Sequence, residues 1–171
     1  MTMIDIVQFS GDQFNLGFRK IFPFKQFNII EGGTDEKNSA AVERKSTDIL
    51  LTPEKDRNKR YFTQQDSGLN HILCRSAAKN RVAIGFSFAA FLNAKERSKV
   101  LAQMMQNVRL CQKYKIRMVV GSFAKNKWEM RMPLDLCAFA QILGMTPKEA
   151  KAALNFQRKQ KDIKIYKNED I

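Results

Sequence analysis

Histidine is almost absent from this 171-residue chain, with His71 the only one. Zinc and related sites need three or four ligands, so His71 alone cannot anchor a metal centre. Cysteine is nearly as scarce: Cys74, Cys111 and Cys137 are odd in number, far apart, and form no CxxC pair. That excludes a disulfide framework and a zinc knuckle. All three have apolar neighbours and read as reduced core or near-core thiols of a cytosolic protein. The longest apolar stretch, VAIGFSFAAFL from Val82 to Leu92, is about half of what a bilayer span needs. The N-terminal MTMIDI shows neither a basic leader nor a long apolar core, so the expectation is a soluble, unexported, cytoplasmic protein without a membrane partner. Catalytic signatures are missing as well. The chain has no GxSxG elbow, no glycine-rich phosphate loop with Lys, no HExxH or HxE, and no paired carboxylates at a fixed helical spacing.

Acid is in short supply too. Seventeen Asp and Glu face 30 Lys and Arg, for a formal charge of +13. A domain that repels itself this strongly usually has a polyanionic partner, which argues against an enzyme for neutral small molecules. What is present suits one compact domain over residues 1–171. With 44% hydrophobic residues, it can bury on the order of 70% of the surface its unfolded chain exposes.

Short apolar runs mark strands at 4–9, 27–31, 48–52, 82–87 and 116–122, of the fully buried kind found in parallel sheets. Helical segments lie between them, so the pattern is βαβα with right-handed crossovers. The clearest helix spans 94–115. Its inward face carries Val100, Leu101, Met104, Met105, Val108 and Cys111, and its outward stripe Lys95, Lys99, Gln103, Gln106, Arg109 and Lys113. Leu110 falls in the polar arc, either as an ordinary exposed leucine or as a small anchor for a partner. A second helix spans 67–80, with Ser67 as its cap and Leu69, Ile72, Leu73, Ser76 and Ala77 facing inward; His71 then points outward. A third spans 133–143 behind Pro133, and a fourth opens at Thr146 with Glu149 completing a capping box. The charged tail, 157–171, offers an edge strand in DIKIYK.

In parallel βα architectures, ligand contacts cluster on loops leaving the carboxyl ends of the strands. Two such loops interleave cations with aromatics. PEKDRNKRYFTQQD, 53–66, brings Lys55, Arg57, Lys59, Arg60, Tyr61 and Phe62; SFAKNKWEMRM, 122–132, brings Lys125, Lys127, Trp128 and Arg131. The mixture suits phosphate contacts plus base stacking. Any one of these lysines reads equally as a solvated side chain, and Trp128 either anchors its loop in the core or stacks a base. Together with Ser87, Phe88 and His71 on the same rim, the set points to polyanion binding. Asp5, Glu31 and Asp48 sit in or beside strands without histidine partners, a weak hydrolase signal. The residues therefore favour a binding module over a self-sufficient catalyst.

SGLNHILCRSAAKNRVAIGFSF at 67–88 resembles the signature of the family of protein component 3 of ribonuclease P, the archaeal counterpart of the eukaryotic thirty-kilodalton subunit. NVRLCQKYKIRMVVGSFAK at 107–125, MRMPLDL at 130–136 and ILGMTPKEAKAAL at 142–154 follow in the family's order and spacing. The resemblance covers 48–155; residues 1–47 share only the strand and helix pattern. It implies a barrel related to the triosephosphate isomerase type. It also implies a place in the ribonucleoprotein that removes the 5′ leader from precursor tRNA, where the RNA carries the catalytic site with magnesium and the protein binds no cofactor itself. The partners implied are the ribonuclease P RNA, precursor tRNA through the complex, and a Pop-five-type protein subunit. Carried over residue by residue, His71 of GLNH, Lys113 and Lys115 of KYK, and Arg131 of MRMP become RNA contacts. Composition adds Arg57, Arg60, Lys125 and Lys127. The family's members carry further N-terminal βα units, whereas five strands and a candidate sixth in the tail are too few for closure, so the expected barrel is incomplete or distorted. The same barrel resemblance extends distantly to the metal-dependent phosphoesterases of the polymerase and histidinol phosphatase type, the alternative reading, against which the single histidine speaks.

Overall fold

The computed structural model describes residues 3–11, 14, 16–57 and 66–157. Six strands and six helices follow in the order β1 (Ile4–Val7), β2 (Lys20–Pro23), β3 (Ile29–Glu31), α1 (Asp35–Glu43), β4 (Ile49–Leu51), α2 (His71–Asn80), β5 (Ala83–Ser87), α3 (Phe88–Leu92), α4 (Arg97–Tyr114), β6 (Met118–Gly121), α5 (Pro133–Ile142) and α6 (Pro147–Ala153). Among the described residues all ladders are parallel. β3, β4, β5 and β6 form one sheet in that order, and β1 pairs with β2. β1 lies beside β6, tied by Gln8 N–H to Ala124 O at 2.7 Å and by Ser122 N–H to Asp5 Oδ1 at 2.7 Å. Among the described residues no ladder joins β1 to β6 or β2 to β3. The expected incomplete barrel of parallel βα units is what forms.

Alternation along the strands splits the core into two layers. The inner layer takes Ile4 and Ile6 from β1, Phe22 from β2, Ile29 from β3, Ile49 and Leu51 from β4, Ala83 from β5 and Val119 from β6, with Phe27, Phe123 and Phe156. Every strand contributes, as a barrel interior requires. A side chain at Gly85 would put its Cβ 2.8 Å from Ile49 Cγ2 and 2.9 Å from Leu51 Cδ1, so glycine there makes room for the β4 side chains. The outer layer packs Leu50, Ile84, Phe86 and Val120 against Val42 of α1, Cys74 of α2, Met104 and Val108 of α4, and Leu136 of α5. β4 and β5 are thus buried on both faces, the reason their sequences run apolar without alternation.

The elements depart from expectation in four places. β2 was not foreseen: KIFP is short, half exposed and ends in proline, so it carries no buried-strand run. Only a single 3₁₀ turn, Phe24–Gln26, separates β2 from β3 where a helix was expected. α2 starts at His71, not Ser67. Asn70 is the cap, its Oδ1 accepting from Ile72 and Leu73 N–H at 3.0 and 2.9 Å. Gly68 (φ +78) packs so closely on Pro53 that an added Cβ would lie 1.9 Å from its carbonyl oxygen, which keeps this stretch out of the helix. With the later start, Leu73, Cys74 and Ala77 face inward and Ile72 is 62% exposed. Finally, Gln103 turns inward rather than joining the outer stripe, and Leu110 is half-buried against the core instead of standing free. α5 opens on Pro133 at its first position as expected, and Thr146 caps α6 in a full capping box with Glu149. All three cysteines are buried and free. The tail strand DIKIYK lies outside the described residues.

Candidate nucleic-acid interface

The loop after β6 builds itself from its own polar groups. Asn126 Oδ1 accepts from Trp128 N–H at 3.0 Å and opens a single 3₁₀ turn over Lys127–Glu129. The carboxylate of Glu129 accepts from Lys125 N–H at 2.8 Å and from Asn93 Nδ2 at 3.0 Å. Arg131 Nη1 donates to Met130 O at 2.7 Å and Trp128 O at 3.0 Å, while its guanidinium lies 5.1 Å from the Phe88 ring. The backbone is thereby held while the indole of Trp128 stays 72% exposed, which decides between the two readings of this residue: it does not anchor the loop in the core. Lys125 is exposed and Lys127 half-exposed. The Lys127 ammonium sits 5.3 Å from the Trp128 ring and 5.5 Å from that of Phe14. Phe14 meets Trp128 edge-on at 5.5 Å. Sequence reasoning missed Phe14. The available signal was its place in the loop leaving the carboxyl end of β1.

Arg57 departs from the expectation of a solvent-facing phosphate contact. Its side chain is only 8% exposed and is paired with Asp35, through Nη2, and with Asp66, through Nη1 at 3.2 Å. Gln103 Nε2 donates to Asp66 O at 2.6 Å and reaches Arg57 O at 3.4 Å. Arg57 and Gln103 together clasp the two ends of the segment between 57 and 66, a structural task that needs the buried position both take. Arg60, with Lys59, Tyr61 and Phe62, lies outside the described residues. Lys55 is exposed and bonded to Glu31 at 2.8 Å.

His71 is exposed at the first position of α2, which follows the carboxyl end of β4 and so belongs to the same rim by connectivity. Lys113 and Lys115 do not. They end α4, next to the amino end of β6 and therefore at the opposite end of the barrel from Lys125, Lys127 and Arg131. Lys115 is the left-handed cap of α4 (φ 55), its N–H bonded to Cys111 O and Gln112 O, and its side chain is exposed. The candidate contacts therefore fall into two zones. Within the first, a cleft of about 620 Å³ opens at the carboxyl ends of β4 and β5, lined by Lys95, Lys99 and Lys125 but also by Glu31, Glu54 and Glu96.

Three carboxylates in or beside the strands each take at least one structural hydrogen bond. Asp5, fully buried, accepts from Ile6 N–H at 2.9 Å, from Ser122 N–H and from the Ser122 hydroxyl. Burial pushes its pKa up to about 6 against those three bonds. Asp48 Oδ2 accepts from Asn28 N–H at 2.9 Å. Glu54, which sequence reasoning did not single out, is 3% exposed. Its Oε2 accepts from Asn107 Nδ2 at 3.1 Å, and burial raises its pKa to about 7. Among the described residues no group of three or more His, Cys, Asp or Glu is placed to hold a metal ion, and no helix is long and apolar enough to cross a membrane.

Known proteins are similar to this chain in sequence and in fold. The sequence model of the family described as RNase P subunit p30 matches residues 23–160. Ribonuclease P protein component 3 of Methanocaldococcus jannaschii is 37% identical over 140 residues, 81% of this chain and 57% of the relative. That of Thermococcus kodakarensis is 36% identical over 134 residues, 77% of this chain and 57% of the relative. A chain in a cryo-EM structure of archaeal ribonuclease P with mature tRNA superposes with a TM-score of 0.65 at 38% identity, covering 74% of this chain and 52% of that one. This chain thus spans little more than half the length of these relatives. With the family model matched across most of its residues and the fold shared, the chain belongs to the RNase P subunit p30 family.

Proposed function

We propose that this chain acts as an RNA-binding protein subunit of ribonuclease P, supporting the catalytic RNA as it removes the 5′ leader from precursor tRNA. The reading rests above all on the 37% identity to a ribonuclease P protein component 3 across 81% of the chain. Its chemistry agrees with a charge of +13 and with a rim loop that presents Lys125, Lys127 and Arg131. Neutralising several phosphates releases counterions, so binding should be strong at low salt and fall steeply as salt rises. In this role the protein is not itself the catalyst; magnesium works at the RNA active site, and the protein holds no cofactor. Its partners are the ribonuclease P RNA, precursor tRNA through the assembled complex, and a Pop-five-type protein subunit, in the cytoplasm. His71 on the carboxyl-end rim and Lys113 and Lys115 at the far end serve as further RNA contacts.

The test is reconstitution. Precursor tRNA and magnesium are incubated with the full chain, with and without the cognate RNA and companion protein subunits. The expected outcome is no leader cleavage by the chain alone and faster cleavage, at lower magnesium, when it joins the RNA-containing mixture. Cleavage by the chain alone that a chelator abolishes would overturn the proposal in favour of a metal-dependent phosphoesterase.

A further inference from the structure

A tryptophan combines a large apolar face with a polar N–H, so one held in solvent on a tied-down loop among cations and a second aromatic ring is suited to contact a ligand. Trp128 meets that description. Its loop is tied down by the bonds from Asn126, Glu129 and Arg131, yet 72% of the residue faces solvent. One edge contact, with Phe14 at 5.5 Å and an interplanar angle of 66°, steadies the indole without covering it. Lys127 stands over both rings, and Lys125 is exposed two residues before it. The loop's one acid, Glu129, is turned back onto Lys125 N–H and Asn93. The segment from 125 to 131 therefore offers an exposed indole with one cation over it and a second exposed cation in the same loop.

We infer that Trp128, with Phe14 beside it, the Lys127 ammonium over one face of the indole and Lys125 exposed in the same loop, offers its open face as a stacking platform for an unpaired base of single-stranded RNA. The occupant follows from the charge. An apolar protein surface would have to desolvate two lysines against nothing, and an acidic peptide would satisfy the lysines but leave the indole wet. A single strand supplies a π-face and a phosphate one nucleotide apart, and stacking accepts any base. A duplex hides its base faces, so it meets only the lysines. This inference rests on the proposed RNA-binding role and adds to it the kind of RNA that this loop takes.

Trp128 is the chain's sole tryptophan, so its fluorescence reports on this site alone. The full chain is titrated with a short oligouridylate, with a blunt RNA duplex of the same length, and with polyglutamate as a polyanion without bases. Saturable quenching by the single strand, and little by the duplex or polyglutamate, is expected. By the range found for base–aromatic stacking, Trp128→Ala should weaken oligouridylate binding about 5- to 150-fold, and Trp128→Phe should recover most of the loss. Neither change removes a phosphate contact, so the salt dependence of binding should keep its slope. Thermal unfolding of both variants checks that the fold is intact. Equal affinity of wild type and Trp128→Ala, with Lys125→Ala still weakening binding, would overturn the platform and leave the RNA-binding role standing. Quenching by polyglutamate as strong as by RNA would overturn it in favour of an acidic protein segment. Stacking on oligouridylate by a chain that fails to associate with ribonuclease P RNA would instead overturn the proposed function and keep the platform.

Discussion

Replacing Glu54 by glutamine should make this protein more stable, and increasingly so as pH rises. Glu54 is 3% exposed, accepts one bond from Asn107 at 3.1 Å, and its other oxygen finds no partner among the described residues. Burial raises its pKa from 4.5 to about 7, against the weaker effects of backbone and Asn107 hydrogen bonds. A pKa raised on folding means that the folded chain holds its proton more tightly than the unfolded chain does. Whatever stability Glu54 contributes is therefore complete below about 4.5 and is lost as pH climbs through about 7. At about 1.4 kcal/mol per tenfold change in proton affinity, the loss amounts to roughly 3 kcal/mol. Glutamine keeps an acceptor for Asn107 and carries no charge to bury. Urea denaturation of wild type and Glu54→Gln across pH 4 to 8 should show curves that nearly meet at the acid end. They should separate by about 3 kcal/mol at the alkaline end, with the wild type lower; for a chain of this size that is a difference of roughly 6–12 °C in melting temperature. Asp5, whose pKa is also raised, to about 6, lowers both curves equally and cancels from the difference. Two stability curves that run parallel over the whole range would refute the reasoning.

Three other outcomes are expected. Arg57→Ala should cost about 3 kcal/mol in urea unfolding, because it leaves Asp66, 10% exposed, without its cationic partner, and should not change the salt slope of RNA binding; a flattened slope would return Arg57 to the RNA contacts. Arg131→Ala should weaken RNA binding and reduce that slope by about 0.7 to 0.9 for each phosphate the side chain no longer neutralises. Arg131→Lys should restore the slope but not the bonds to Trp128 O and Met130 O, and an unchanged slope in the alanine variant would make Arg131 purely structural. Gly68→Ala should impair folding severely, since φ +78 and a Cβ 1.9 Å from Pro53 O cannot both be relieved locally; soluble expression and a melting temperature equal to wild type would show that the turn can move.

The parallel βα plan was legible because β4 and β5 are buried on both faces, and such strands must be apolar residue after residue. β2 was not, since an outer strand four residues long leaves no such run. The helix cap at Asn70 was hidden for a different reason. Ser67 is as good a cap chemically, and only the packing of Gly68 on Pro53 removes it. In the candidate site the chain order was readable but the burial was not. Arg57 and Lys125 look alike as basic residues in carboxyl-end loops, yet two aspartates, one of them 22 residues upstream, draw the first inside while the second stays exposed.

What is additive along the chain could be read from the residues alone: the charge, the buried runs, the helix starts at Pro133 and Thr146, and the linked motifs of the family. These need only local chemistry or residue counts. Only the folded chain shows which cations face water, that two aspartates hold Arg57 inside, and that Phe14 lies against Trp128. Each of those depends on contacts between residues far apart in sequence, whose geometry exists only once the strands have curled around their common core.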